Sequence, residues 1–246
     1  NVNVAANSKA TKFTTIPDPS TWQLSKDAAY LHYTPNETVF GVEFHSIPSV
    51  SNAPLVADMS STLLSRPVDV SKFGIIYAGA QKNIGPAGLT IVIIRDDLIG
   101  KGVPAPQTML DYKTHAENDS MYNTPPTYAI YIMGLVLQHI QNEGGLPAMQ
   151  ERNLAKSQLL YDFLDHSRFF SNRVRPADRS RMNVTFYLKD EKLNEAFVEG
   201  AAKQGLMNIK GHKSVGGMRA SIYNAMPEAG VEALVSFMAE FERNSA

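Results

Sequence analysis

Lys82 stands in the stretch YAGAQKNIGPAGLTIVIIR, residues 77–95, between two short apolar runs, with Gly79, Gly85 and Gly88 around it and Gln81 just before it. A charged side chain at the junction of two buried strands is costly unless a partner or a reaction requires it. Asp58 ends another apolar run, APLVAD, 24 positions upstream (82 − 58 = 24), and Ser60 and Ser61 follow it. A carboxylate ending one strand and an amine just past a second can face one crevice, the usual ligand site of open sheets. A primary amine there can condense with an aldehyde. Spacing alone also fits a solvated lysine in a Gly-rich turn and an aspartate that merely caps a loop. The turn is not a nucleotide P-loop, because no Gly-x-x-x-x-Gly precedes Lys82.

The elements that would position this pair are short. Residues 1 to about 35 are polar and broken by Pro17, Pro19 and Pro35, which predicts mostly loop with room for one strand. APLVAD, FGIIYAG and LTIVIIR are β-branched or aromatic runs, each read as a buried strand of an α/β sheet. The stretch PPTYAIYIMGLVLQHIQNEGG predicts a helix, with prolines at its start and glycines at its end. A long amphipathic helix follows, with Leu146, Met149, Leu154, Leu159 and Phe163 among its apolar positions. Beyond Arg168 the pattern becomes a half-exposed strand (RMNVTFYL), a helix closed by Gly205, a strand (GGMRASIYN) and a last helix. We read residues 1–145 as part of a large α/β domain with a mainly parallel sheet, and 146–246 as a small α+β domain.

The 246 residues carry a formal net charge of −1, with both signs dispersed, which offers no basic surface for nucleic acid or an anionic membrane. There is no cysteine, which excludes thiolate nucleophiles, disulfides and Cys-ligated metals and fits a reducing cytosol. The apolar run Thr127 to Leu137 is too short to span a bilayer, and the N-terminal residues do not form a secretory signal. We expect a cytoplasmic protein with no metal site, since no His/Asp/Glu cluster stands out and His139 and His166 read as structural.

The Lys82–Asp58 pair has one specific chemical counterpart. Pyridoxal phosphate needs a lysine for a Schiff base and an anion that keeps its ring nitrogen protonated. The string ADMSSTLLSRPVDVSKFGIIYAGAQKNIGPAGLTIVIIRDDLIG closely resembles the phosphoserine aminotransferases, a fold-type I pyridoxal phosphate family. The resemblance continues in HYTPNET, MYNTPPTYAIY and KGHKSVGGMRASIYNAMP, and so covers essentially the whole chain. It implies that Lys82 carries the cofactor and moves the substrate proton, and that Asp58 pairs with the pyridinium nitrogen. By the same resemblance Gln81 and Thr38 contact the cofactor, and Asn123 and Thr124 reach a neighbouring subunit's cofactor phosphate. His212, Lys213 and Arg219 match substrate-anion positions. At Lys213 the family pattern leads one to expect arginine; lysine keeps the charge and loses the planar fork.

The resemblance also implies a further N-terminal third before the point that matches Asn1, so the chain reads as a C-terminal piece. Trp22 matches the segment WQLS, not the tryptophan that stacks on the cofactor. The activity implied is amino transfer between glutamate and 3-phosphooxypyruvate in a homodimer with shared sites, serving serine and also pyridoxine biosynthesis. Two other readings are a different fold-type I aminotransferase and an inactive fragment that retains only dimerisation. The cysteine desulfurases of that superfamily are excluded by the missing cysteine.

Overall fold

The computed structural model describes residues 2–49, 53–102 and 107–245. In chain order the first strands are β1 (Leu31–Tyr33), β2 (Asn36–Glu37), β3 (Val42–Glu43), β4 (Leu55–Asp58), β5 (Ile75–Gly79) and β6 (Thr90–Ile94). Helices α1 (Tyr112–Glu117), α2 (Thr127–Asn142) and α3 (Gly145–His166) come next. The chain closes with β7 (Phe170–Ser171), β8 (Asn183–Leu188), α4 (Asn194–Lys203), β9 (Met218–Ser221) and α5 (Glu228–Ser245). Before β1 the described residues are irregular apart from 3-10 turns at Lys9–Thr11 and Pro19–Thr21.

The sheet that carries Asp58 and leads to Lys82 has the order β1-β4-β5-β6. β1, β4 and β5 run parallel, and β6 returns antiparallel to β5. Its core gathers Tyr33, Leu55, Ala57, Phe73, Ile76 and Ala78. The second core lies between the antiparallel sheet β7-β8-β9 and helices α3, α4 and α5. There the Phe197 ring meets Phe170, Phe186, Phe237 and Phe241 at centroid distances of 5.1–5.9 Å, and aromatic pairs at such range add to simple burial. Among the described residues no helix is long and apolar enough to cross a membrane.

Three expectations need correction. β6 is not a buried strand: it lies at the sheet edge, and its Val92 and Ile93 are exposed. RMNVTFYL is not half-exposed, for β8 is buried along its whole length. Its second face is covered from outside its own sheet, by Asn36 against Asn183 and by the Phe40 carbonyl, which accepts from Thr185 Oγ1 at 3.0 Å. The inward face of α3 also differs from the apolar stripe. Leu154 is exposed, and the buried positions are Met149, Asn153, Lys156, Ser157, Leu160, Tyr161 and Leu164. Asn153, Lys156 and Tyr161 occupy that face because each donates to carbonyls of the segments packed opposite, whereas Ser157 donates back to Leu154 in its own helix.

Candidate active site

Asp58 is the last residue of β4 and sits opposite Tyr77 in the parallel register with β5. The Ser60 amide donates to Asp58 Oδ1 at 2.9 Å, and the Gly79 amide donates to Ser60 Oγ at 3.0 Å. These bonds tie the carboxyl ends of two neighbouring parallel strands together. Past β5 the amides of Ile84 and Gly85 both donate to the Ala80 carbonyl, at 3.1 and 2.8 Å, closing the turn that carries Lys82. A Cβ on Gly79 would lie 2.7 Å from Gln81 Oε1, so glycine lets the Gln81 side chain fold back over the strand end.

Lys82 is half-buried and its Nζ donates to Thr38 Oγ1 at 3.0 Å. Burial lowers its pKa below the ordinary lysine value; Asp58 and Glu37 pull it up, and Arg219 pushes it down. Thr38 lies in the turn between β2 and β3, where the Phe40 amide donates to Glu37 Oε2 at 2.7 Å. That turn closes on Gly41, whose φ is +79° and where a Cβ would come 2.6 Å from the Asn183 carbonyl oxygen. Only glycine accepts both conditions. Arg219, on β9, donates from Nη1 to the Thr38 carbonyl at 3.4 Å, while its Nε is buried with no hydrogen-bond partner. Thr38 is therefore held on one side by Lys82 and on the other by Arg219.

Beneath this cluster runs a ladder of buried polar side chains. Asn36 Nδ2 donates to Ser61 Oγ and to Asn183 Oδ1, both at 2.9 Å, and Ser180 Oγ donates to Asn36 Oδ1. Asn183 Nδ2 continues to Ser221 Oγ at 3.1 Å and to the Tyr223 hydroxyl at 3.0 Å. Sequence reasoning missed Asn36, Asn183 and Tyr223. Tyr223 lies four residues past Arg219 in the same distinctive stretch, which is the one signal that pointed to it.

The structure thus brings Asp58, Thr38, Lys82 and Arg219 to one place, with Gln81 at its edge. It does not bring the remaining site residues there within one chain. His212 and Lys213 are exposed, and His212 Nδ1 is 2.7 Å from its near neighbour Ser214 Oγ. Asn123 and Thr124 are exposed at the approach to α2, and Asn123 Nδ2 donates to the Thr124 carbonyl at 3.4 Å. An amine of lowered pKa beside a carboxylate, a hydroxyl and an unfilled guanidinium can bind an aldehyde, move a proton and hold an anion.

The aminotransferase class-V family pattern matches residues 1–234. A phosphoserine aminotransferase of Janthinobacterium sp. (strain Marseille) is 58% identical over 242 residues, covering 98% of this chain and 67% of the relative. The solved phosphoserine aminotransferase from Bacillus circulans subsp. alkalophilus superposes with a TM-score of 0.97 at 47% identity, covering 99% of this chain and 68% of that one. The pyridoxal phosphate-bound enzyme from Trichomonas vaginalis gives 0.92 at 43% identity, covering 97% and 68%. The chain spans about two thirds of the length of these proteins.

Proposed function

Because this chain belongs to the phosphoserine aminotransferase family of class-V aminotransferases, we propose that it performs the exchange of an amino group between glutamate and 3-phosphooxypyruvate, yielding phosphoserine and 2-oxoglutarate. Serine biosynthesis, and with it pyridoxine biosynthesis, is the setting this reaction implies. The donor set fits pyridoxal phosphate: a half-buried amine, a carboxylate ending the adjacent strand, and a hydroxyl 3.0 Å from the amine. When bound, that cofactor supplies the aldehyde that takes up an amino group and the ring that draws electrons from the substrate α-carbon.

The protein's own residues do the rest. Asp58, its carboxylate oriented by the Ser60 amide, would hold the proton on the cofactor's ring nitrogen. Lys82 Nζ would hold the cofactor through its aldehyde carbon, with loss of water, and, once the substrate amine has displaced it there, would be free to carry the α-proton, a task that its lowered pKa favours. Thr38 Oγ1 aims that amine, and Gln81, at the edge of the cluster, would contact the cofactor. Arg219 takes the substrate carboxylate through its fork, which its buried and partnerless Nε supports. His212 and Lys213 add donors for the second anionic group.

Asn123 and Thr124 complete the phosphate site of a neighbouring copy across a two-fold interface. The exposed Tyr122, Tyr128 and Tyr131 beside them support a homodimer. The two separate cores support a division into 1–145 and 146–246. A cytoplasmic location belongs to the same reading and agrees with the cysteine-free composition.

The carrying observation is the Lys82 amine at the end of β5, held by Thr38 and facing the charge of Asp58. Incubating the chain with pyridoxal phosphate, reducing with borohydride and mapping the peptides should place the label on Lys82. A label on another lysine would refute the assignment.

A further inference from the structure

Lys156 is 3% exposed, in the middle of α3, with its Nζ donating to three carbonyls: Ile222 at 3.2 Å, Tyr223 at 2.9 Å and Met226 at 2.9 Å. An ammonium has three N–H donors and no acceptor, so this set is saturated. Burial, with Arg152 adding to it, pulls the Lys156 pKa down to about 8. An apolar side chain would fill this position without desolvating a charge. The three carbonyls belong to the segment joining β9 to α5, and one atom satisfies them all.

The same segment is tied on its other side to the neighbour of Lys82. The Asn224 amide donates to Asn83 Oδ1 at 3.0 Å, and Asn224 Nδ2 donates to the Leu64 carbonyl at 2.9 Å. From α3, Asn153 Nδ2 donates to Asn224 Oδ1 at 2.9 Å. Between these ties stands Tyr223. Its ring centroid is 6.0 Å from Lys82 Nζ, and its hydroxyl is fixed by Asn183 at 3.0 Å. Burial raises its pKa, so the phenol stays neutral.

We propose that Tyr223 is a further residue of the Lys82 site, its ring shielding the amine from water, and that Lys156 is the positioning residue that holds Tyr223 there. The proposal rests on reading Lys82 as the cofactor-bearing amine, but it concerns the amine before any cofactor arrives. The charged groups facing Lys82 are Asp58 from β4, Arg219 from β9 and Glu37 from β2, and none of them changes when Tyr223 or Lys156 is replaced. Water admitted at the ring would reverse the burial that lowers the Lys82 pKa, its largest influence, and would outweigh the loss of a cation–π contact at the 6.0 Å edge of its range.

The test uses the cofactor-free chain. Reductive methylation with formaldehyde and a borane across a pH series, read by peptide mass spectrometry, gives the titration midpoint of Lys82. Tyr223→Leu and Lys156→Met should both move that midpoint upward, cutting the neutral amine at neutral pH by about threefold. Tyr223→Phe, which keeps the ring, should retain the original midpoint. Amide exchange across residues 222–226 should rise by about tenfold or more in Lys156→Met. An unchanged midpoint in Tyr223→Leu overturns the shielding role. Faster exchange with an unchanged midpoint in Lys156→Met reduces Lys156 to a fold residue. If Lys156→Met does not fold, Lys156→Gln, with two donors, should show a smaller shift in the same direction. Borohydride labelling of a lysine other than Lys82 would sink the cofactor assignment and leave this arrangement standing, so the two failures are distinguishable.

Discussion

Asn36→Leu removes one side chain of nearly the same size from the centre of the buried polar ladder. Asn36 is fully buried, and the replacement takes partners away from three groups that remain. Asn183 Oδ1 loses a donor at 2.9 Å and keeps only the Tyr223 hydroxyl, at 3.4 Å. Ser180 Oγ loses its acceptor, although it still accepts from the amides of Met182 and Asn183. Ser61 Oγ loses a donor and still donates to the Asn36 carbonyl at 2.8 Å. A buried group left without a partner costs about 1–3 kcal/mol. Since each of these three keeps part of its bonding, the sum is about 3 kcal/mol at the low end of that range. A total stability on the order of 5–15 kcal/mol would survive this loss but show it clearly. Urea unfolding should give a lower midpoint with an unchanged slope. Asn36→Asp should lose a comparable amount, because it retains the acceptor for Ser180 and abolishes both donors. A loss below about 1 kcal/mol in Asn36→Leu would show that water or a rotated hydroxyl replaces the missing partners, and the ladder argument would fail.

Asp58→Asn keeps the shape of the strand end and removes the charge that would hold the cofactor's ring nitrogen protonated, so kcat with cofactor should fall by about a hundredfold or more. In the cofactor-free protein the Lys82 pKa should fall further, which the methylation series measures. Burial raises the Tyr33 phenol from 10.0 to about 12, so the unfolded chain loses its proton first as pH rises. Tyr33 thus contributes stability that is complete below pH 10 and lost on passing about pH 12; Tyr33→Phe should remove that part of the alkaline loss in urea titrations at stepped pH. For the shared site, mixing Lys82→Ala chains with Asn123→Ala/Thr124→Ala chains should restore about one working site per heterodimer, measured by transamination after subunit exchange. No recovery in confirmed heterodimers would rule out a role for Asn123 and Thr124 across the interface.

Local chemistry made one half of this site legible. Asp58 and Lys82 stand where short apolar runs end, and a strand end can be read from a window of a few residues. The same holds for α2, bounded by Pro126 and Gly144, and for the C-terminal end of α4, closed by Gly205. The other half depends on contacts that no window contains. Asn36 and Asn183 are 147 positions apart, and neither is distinguished from an ordinary turn or strand asparagine until both are buried face to face. β8 looked half-exposed because its alternate residues Asn183 and Thr185 are polar, yet that polarity answers the β2–β3 turn packed against it. Lys156 was hidden more completely. On a long helix a lysine between apolar residues reads as a solvated face, and only the three carbonyls beyond β9 explain why it points inward. The residues that do chemistry were visible as strand endings, whereas those that hold them in place are polar groups whose partners lie far away along the chain.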